Sequence, residues 1–219
     1  MSTDAAKLIV GLAAAVGTAL LVFARKHGAA VELAPLVPGE PDDPAVERAE
    51  REIALWGWGE LKESQPAAAP LLAKYWRACG LSPQPPGTAW SAAFISYVGG
   101  GALYAAANHI GYARNALRSR LQGEQGVYWA HAPNESGVLP LRRGDLVLTG
   151  RGQPVTWADV AADTGHKDAH GQIVVATRGV VSLIGGNESD SVRQSHLAEG
   201  VLPPNTFAVL RVGSSEAWA

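Results

Sequence analysis

The sequence has very little cysteine and no strong excess of either charge. Cys79 is the one cysteine among 219 residues, so no intrachain disulfide can form. No cluster of cysteine and histidine shows the spacing of a structural zinc site. Lys and Arg number 18 against 20 Asp and Glu, a formal net charge of -2, and no basic stripe with interleaved aromatics is present. The sequence therefore does not predict a disulfide scaffold, structural zinc or nucleic-acid binding.

The composition instead predicts a packed globular domain. Hydrophobic residues make up 47% of the chain and charged residues 17%, which excludes global disorder. The length suffices for one ordinary domain plus an appendage. The 7 tryptophans are mostly expected in the core, although such side chains also line grooves that hold sugars or peptides.

An uncharged apolar run covers residues 8–24, at the lower edge of what spans a bilayer. Lys7 precedes the run and a stronger basic group, residues 25–27, follows it. Because a cleaved signal peptide has its charge before the run, we predict a membrane-anchor helix over residues 1–27. A buried core helix is the alternative. Charge balance favours residues 25–27 in the cytoplasm.

Three prolines and no periodicity indicate an extended linker over residues 28–43. The folded domain is expected at residues 44–219. Its first helix starts with Asp43 as N-cap, and a second runs from about 67 to 79. A third is expected to use Thr88 as its cap and to contain Ser91, and a fourth covers roughly 106–122.

Beyond residue 122 the pattern changes to the period of two that is typical of strands. Five segments show it: VYWAH, DLVLTG, QIVVAT, VVSLIGG and TFAVLRV. Helices followed by strands predict an α+β fold, with N-terminal helices packed on an antiparallel sheet. We also expect Arg178-Gly179 to form a two-residue hairpin turn that pairs Thr177 with Val180.

Ser91 lies at the predicted N-terminus of the third helix, within Trp90-Ser91-Ala92-Ala93-Phe94. Unpaired backbone N–H groups and the helix dipole favour negative charge there, which suits a nucleophile and a developing oxyanion. The alternative is that Ser91 only helps to cap the helix.

His170 and Asn187 are candidate partners for Ser91. A histidine at the start of a strand can act as a general base, although His166 competes for this role. In the predicted hairpin register His170 falls opposite Asn187, so Asn187 could orient the imidazole. The alternative is that Gly185-Gly186-Asn187 forms a turn.

The order of Trp90–Phe94, His170 and Asn187 along the chain resembles that of the papain-like cell-wall hydrolases of the CHAP and NlpC types. Those proteins have a Trp-Cys-Ala-Ala-Phe-like motif at a helix start. They follow it with a Gly-Asp-hydrophobic strand, a histidine before a strand and a polar residue on the next strand. An uncharacterised bacterial family of that superfamily resembles the chain most, over roughly residues 45–212. The shared positions are Tyr75-Trp76, Trp90–Ser96, Asn108–Tyr112, Gly144–Val147 and Ile184–Asn187.

The resemblance implies a papain-like fold with Ser91, His170 and Asn187 as catalytic residues and no metal or organic cofactor. It also implies that Trp90, His109 and Tyr112 line the substrate groove; a satisfied core position is the alternative for His109. Serine stands where most relatives have cysteine. It is native and active, decayed, or an engineered replacement, and the residues alone leave these alternatives open.

The leading hypothesis is a peptidoglycan amide hydrolase, an endopeptidase or amidase. It would be membrane-associated through residues 8–24, with its catalytic domain outside the cytoplasm, which needs the orientation opposite to the one that charge balance favours. A phage lysis or tail protein or a secreted effector would fit. The main alternative is an inactive wall-binding or structural component that reuses the fold. A cytoplasmic acyl-transfer enzyme is a third.

Overall fold

The computed structural model describes residues 43–162, 167–198 and 201–213. The predicted anchor (1–27), all of the predicted linker except Asp43, and His166 lie outside these residues. Within the described ranges, no helix has the length and apolar character needed to cross a membrane.

The fold is α+β, as the order of helical and strand patterns predicted. The helices are α1 (Pro44–Leu55), α2 (Ala69–Ala78), α3 (Ser91–Gly99), α4 (His109–Gln122) and the short α5 (Trp157–Ala162). The strands are β1 (Tyr128–His131), β2 (Leu146–Gly150), β3 (Ala169–Ala176), β4 (Val181–Gly186), β5 (Val192–Leu197) and β6 (Thr206–Val212). They form a 6-stranded sheet in the order β1-β6-β2-β3-β4-β5, and all pairs are antiparallel.

Two helix starts show how local chemistry sets the element boundaries. Asp43 caps α1 as predicted, because its carboxylate accepts the backbone N–H of Ala45 at 2.8 Å. Asn108 caps α4 in the same way and accepts from Gly111 at 2.6 Å. The capping role expected of Thr88 was wrong: α3 begins after Trp90 and has no side-chain cap among the described residues.

The strand patterns predicted five of the strands but not β5. This strand is polar over most of its length and forms an edge of the sheet, so it lacks the apolar alternation that marks the others. Polar edge strands protect a sheet from pairing with other chains. The prediction that Arg178-Gly179 forms a two-residue hairpin turn was also wrong. The pairing of β3 with β4 shifts register after Val174, so that Ala176 pairs with Ser182.

The sheet is apolar on both faces. Leu146 and Leu148 of β2 belong to the main core beneath the helices, whereas Val147 between them belongs to a second cluster on the other face. Val138 and Leu141, from the segment between β1 and β2, cover this second cluster. That segment must therefore be fastened to the sheet.

A buried ion pair holds the segment between β1 and β2 against the sheet. Arg211 of β6 makes two hydrogen bonds to the carboxylate of Asp145, at 2.8 and 2.6 Å, and both residues are buried. The same guanidinium donates to the carbonyl oxygens of Gly137 and Val138, each at 2.9 Å. Asp145 also accepts the N–H of Arg142 at 2.7 Å, so its role is structural.

We expect Asp145→Asn to lower the free energy of unfolding by about 3–5 kcal/mol, since it leaves the Arg211 charge buried without its partner. Urea denaturation followed by tryptophan fluorescence measures this. The matched control is Glu47→Gln, which removes an exposed ion pair with Arg51 and should cost less than about 1 kcal/mol. Equal losses in the two variants would contradict the role given to the buried pair.

Candidate active site

Ser91 and His170 meet where the start of α3 reaches the start of β3. The hydroxyl Oγ of Ser91 lies 2.8 Å from Nδ1 of the His170 imidazole, a distance at which a proton can be transferred. Ser91 is the first residue of α3 and His170 the second residue of β3, slightly inside the strand rather than just before it. Both are buried, with 4% and 7% of their surface exposed.

The third member of the group is Glu188, not Asn187. Its Oε1 lies 3.0 Å from Nε2 of His170. The predicted register holds near the site, since Gln172 pairs with Gly185. However, β4 ends at Gly186 and Asn187 takes a left-handed conformation with φ 60°. The chain therefore turns out of the sheet and brings the next side chain, Glu188, to the imidazole.

Glu188 is itself held in place. Gln172 donates to the same carboxylate oxygen at 2.7 Å and also bonds Ser195 Oγ at 2.6 Å. The backbone N–H of Glu188 donates to the carbonyl oxygen of Ser191 at 2.9 Å. The carboxylate thus has a fixed position in front of Nε2.

These contacts determine which nitrogen of the His170 imidazole carries the proton. A carboxylate only accepts hydrogen bonds, so the partner Glu188 assigns the proton to Nε2 and leaves Nδ1 to accept from Ser91. Burial lowers the pKa of His170, Glu188 opposes that effect, and the positive charge of Arg151 adds to it. The imidazole is therefore neutral near pH 7 and can act as a base.

Gly185 and Gly186 make room for this arrangement. A Cβ on Gly185 would overlap Oε1 of Glu188 and lie 3.0 Å from Nε2 of His170. A Cβ on Gly186 would lie 2.5 Å from Phe94 of α3 and 2.7 Å from the Trp90 ring. Both glycines lie within β4, so they serve close packing and do not form the turn that the sequence also allowed.

The N-terminus of α3 faces the same group. Its first backbone N–H groups have no side-chain cap among the described residues. Such groups, together with the helix dipole, favour a negative charge near Ser91. They are suitable donors for an oxyanion.

Trp90 and Glu63 fix the approach to Ser91. Trp90 stacks on Trp56 with ring centroids 5.0 Å apart, and its Nε1 donates to Glu63 at 2.6 Å. The other Glu63 oxygen accepts the N–H of Gly87 at 3.0 Å. The Glu63 backbone N–H donates to the carbonyl oxygen of Asp190 at 2.9 Å. Glu63, which the sequence gave no reason to select, therefore connects the loop before Ser91 with the loop that holds Glu188.

The predicted groove residues Trp90, His109 and Tyr112 are buried, with at most 6% of their surface exposed. His109 Nδ1 bonds the Tyr112 hydroxyl, and its ring centroid is 6.3 Å from that of His170. Gly171 permits this packing, since a Cβ there would lie 2.6 Å from the Tyr112 oxygen. All three side chains support the site from within, and their contact with a substrate stays a prediction.

Backbone strain is concentrated around the same loops. Among the described residues, the non-glycine residues with positive φ are Trp58, Asn187, Ser189 and Asp190. They lie in two loops that hydrogen bonds join, since Lys62 Nζ donates to Ser189 O at 3.0 Å. Strained residues of this kind cluster at functional sites.

Other candidate groups contribute little to this site. Cys79 lies at the C-terminal end of α2, where burial raises the pKa of its thiol, so it is a poor nucleophile. Over the described ranges, no group of three or more His, Cys, Asp and Glu residues has the geometry to hold a metal ion.

A family model described as an uncharacterized protein conserved in bacteria (DUF2272) matches residues 57–203. The matched range contains Glu63, Ser91, His170 and Glu188. No curated protein and no solved structure matches the chain.

We expect Glu188→Gln to lower the pKa of His170, because the negative charge that favours the imidazolium is removed. An NMR titration of the imidazole measures this without any substrate. Glu47→Gln, in an exposed pair on α1, is the control that should leave the pKa unchanged. An unchanged or raised pKa in Glu188→Gln would show that the carboxylate does not govern this histidine.

Gly185→Ala should break the bond between Glu188 and His170 because the added methyl group occupies the place of the carboxylate oxygen. In the unmodified protein we expect the hydrogen-bonded Nε2–H proton to give a downfield NMR signal, and in Gly185→Ala this proton should exchange rapidly and its signal disappear. Gly101→Ala is the control, since a Cβ there meets no atom within 4 Å. A persistent signal in Gly185→Ala would contradict this role of the glycine.

Proposed function

We propose that this chain, which belongs to the DUF2272 family, is an amide hydrolase that cleaves the peptides of bacterial peptidoglycan through Ser91, His170 and Glu188. One observation carries the chemistry: a serine hydroxyl at an uncapped helix N-terminus lies 2.8 Å from an imidazole nitrogen. The other nitrogen of that ring lies 3.0 Å from a carboxylate. Nucleophile, base and orienting group are the three parts that acyl transfer needs.

The reaction begins when the Ser91 oxygen attacks the carbonyl carbon of the scissile amide. Nδ1 of His170 takes the hydroxyl proton, and the N–H groups at the start of α3 receive the oxyanion. When the C–N bond breaks, His170 gives this proton to the leaving amine and an ester to Ser91 remains. A water molecule, deprotonated by His170, then attacks the ester, and Ser91 leaves with its proton restored as the carboxylic acid is released.

Peptidoglycan as the substrate class rests on the resemblance to papain-like hydrolases of the CHAP and NlpC types. The order of the site elements supports it: the nucleophile starts a helix, the base lies in a later strand, and the orienting group follows the next strand. A wall substrate would also require the domain to lie outside the cytoplasm, with residues 8–24 as its membrane anchor. Glutamate in the third position provides a full negative charge, which stabilises an imidazolium more than an amide would.

A non-catalytic wall-binding protein is the second candidate. The observation that favours it is the low exposure of Ser91 and His170, 4% and 7%, together with serine in place of the cysteine of most relatives. Such a protein would bind wall material without releasing peptides. The same experiment separates the two functions.

We expect purified peptidoglycan incubated with the protein to release peptides detectable by mass spectrometry. Ser91→Ala should lower the rate by several orders of magnitude, as loss of a nucleophile does in serine hydrolases. The rate should rise with pH through a pKa below the ordinary 6.5 of histidine, since burial lowers the pKa of His170 and only the neutral ring is a base.

The control is Ser182→Ala, which removes a second serine–histidine contact, 3.1 Å to His196, at the opposite end of β4 from Gly186. It should leave the rate unchanged. Ser91→Cys tests the nucleophile itself, because a thiol can replace the hydroxyl. Wall binding without peptide release in both the serine and the cysteine forms would refute the hydrolase and favour the binding protein.

A further inference from the structure

Arg151 is an exposed cation next to the proposed base. It directly follows β2, in which Thr149 pairs with His170 and Gly150 with Ala169. Its backbone N–H donates to the carbonyl oxygen of Asp168 at 2.9 Å, which fixes its backbone beside the start of β3. Its side chain is exposed to solvent and close enough to influence His170 electrostatically.

The Arg151 guanidinium has no counter-ion in the part of the chain that the structure describes. Lys and Arg residues that form ion pairs there include Arg51, Lys74, Arg120, Arg143, Lys167 and Arg211. A guanidinium is a planar donor that binds a carboxylate through two parallel hydrogen bonds. An unpaired guanidinium beside a reaction centre is therefore suited to an anionic group of the substrate.

We propose that Arg151 binds a free carboxylate of the substrate peptide close to the scissile amide, so that the enzyme selects peptides carrying such a carboxylate near the cleaved bond. This inference rests on the proposed hydrolase function. It defines the substrate more narrowly, because amidation of that carboxylate would remove the recognised charge.

Binding of the carboxylate should also strengthen the base. The positive charge of Arg151 lowers the pKa of His170, and a bound carboxylate compensates that charge. The pKa of His170 should therefore be higher in the complex than in the free enzyme. The side chains that face His170 from the elements packed against it are Ser91 on α3, His109 and Tyr112 on α4, Arg151 after β2 and Glu188 after β4.

The first test compares a peptide that has a free carboxylate next to the cleaved amide with the same peptide amidated there. We expect the unmodified enzyme to prefer the carboxylate by at least about tenfold in kcat/KM, the effect of one charged hydrogen-bonded contact. Arg151→Gln should remove this preference mainly through KM, and Arg151→Lys should restore part of it. Arg178→Gln, an exposed arginine at the opposite end of β3, is the matched control and should keep the preference.

The second test needs no hydrolysis. NMR titration of His170 should show that N-acetyl-D-alanine raises its pKa, whereas N-acetyl-D-alaninamide does not. In Arg151→Gln the pKa should already be raised, and neither compound should change it. This titration supports or overturns the role of Arg151 even if no amide is cleaved, in which case only the proposed function fails.

Equal cleavage of both peptides by the unmodified enzyme and by Arg151→Gln would overturn the inference and leave the hydrolase intact. A preference that survives in Arg151→Gln but disappears in Arg178→Gln would overturn it as well.

Discussion

The close approach of α3 to the β3–β4 hairpin is the constraint on which the site depends. Phe94 and Trp90 pack directly over Gly186, which lets the start of α3 come near enough for Ser91 to reach His170. One strand position earlier, Gly185 leaves the space in which Glu188 meets the same imidazole. A side chain at Gly186 would push α3 away from β4, and a side chain at Gly185 would displace Glu188 from His170.

The loops around the site are joined to each other as well as to the sheet. Residues 61–63 bond the loop that carries Glu188, through Ser191 Oγ to Leu61 O at 2.7 Å and through the backbone of Glu63. The Glu63 side chain bonds Trp90 and Gly87. One short segment therefore connects the loop before Ser91 with the loop that carries Glu188. The hydrogen bonds between these loops hold several of their residues at positive φ values.

The sequence was sufficient to predict features that depend on a residue's own side chain or on the register between two neighbouring strands. Asp43 is a cap because of its own side chain. The pairing of Gln172 with Gly185 agrees with the register predicted from a turn at Arg178-Gly179, although the turn itself was wrong. Glu188 was missed because strand register does not show where β4 ends or how Asn187 turns the chain. β5 was missed because its stability comes from pairing with β4, which its own polar sequence does not indicate. The burial of Trp90 and Tyr112 likewise depends on long-range packing that no local pattern shows.

The participants in the site come from distant parts of the chain: Ser91 and His170 are separated by 79 positions, and Ser191 bonds Leu61 across 130. A ribosome completes Ser91 and α3 long before it reaches the loop that holds Glu188. Since domains fold as cooperative units, an emerging polypeptide cannot assemble this group of side chains until almost all of the domain has been synthesised. Any truncated product that ends before Glu188 therefore contains Ser91 and His170 without the carboxylate that holds the imidazole.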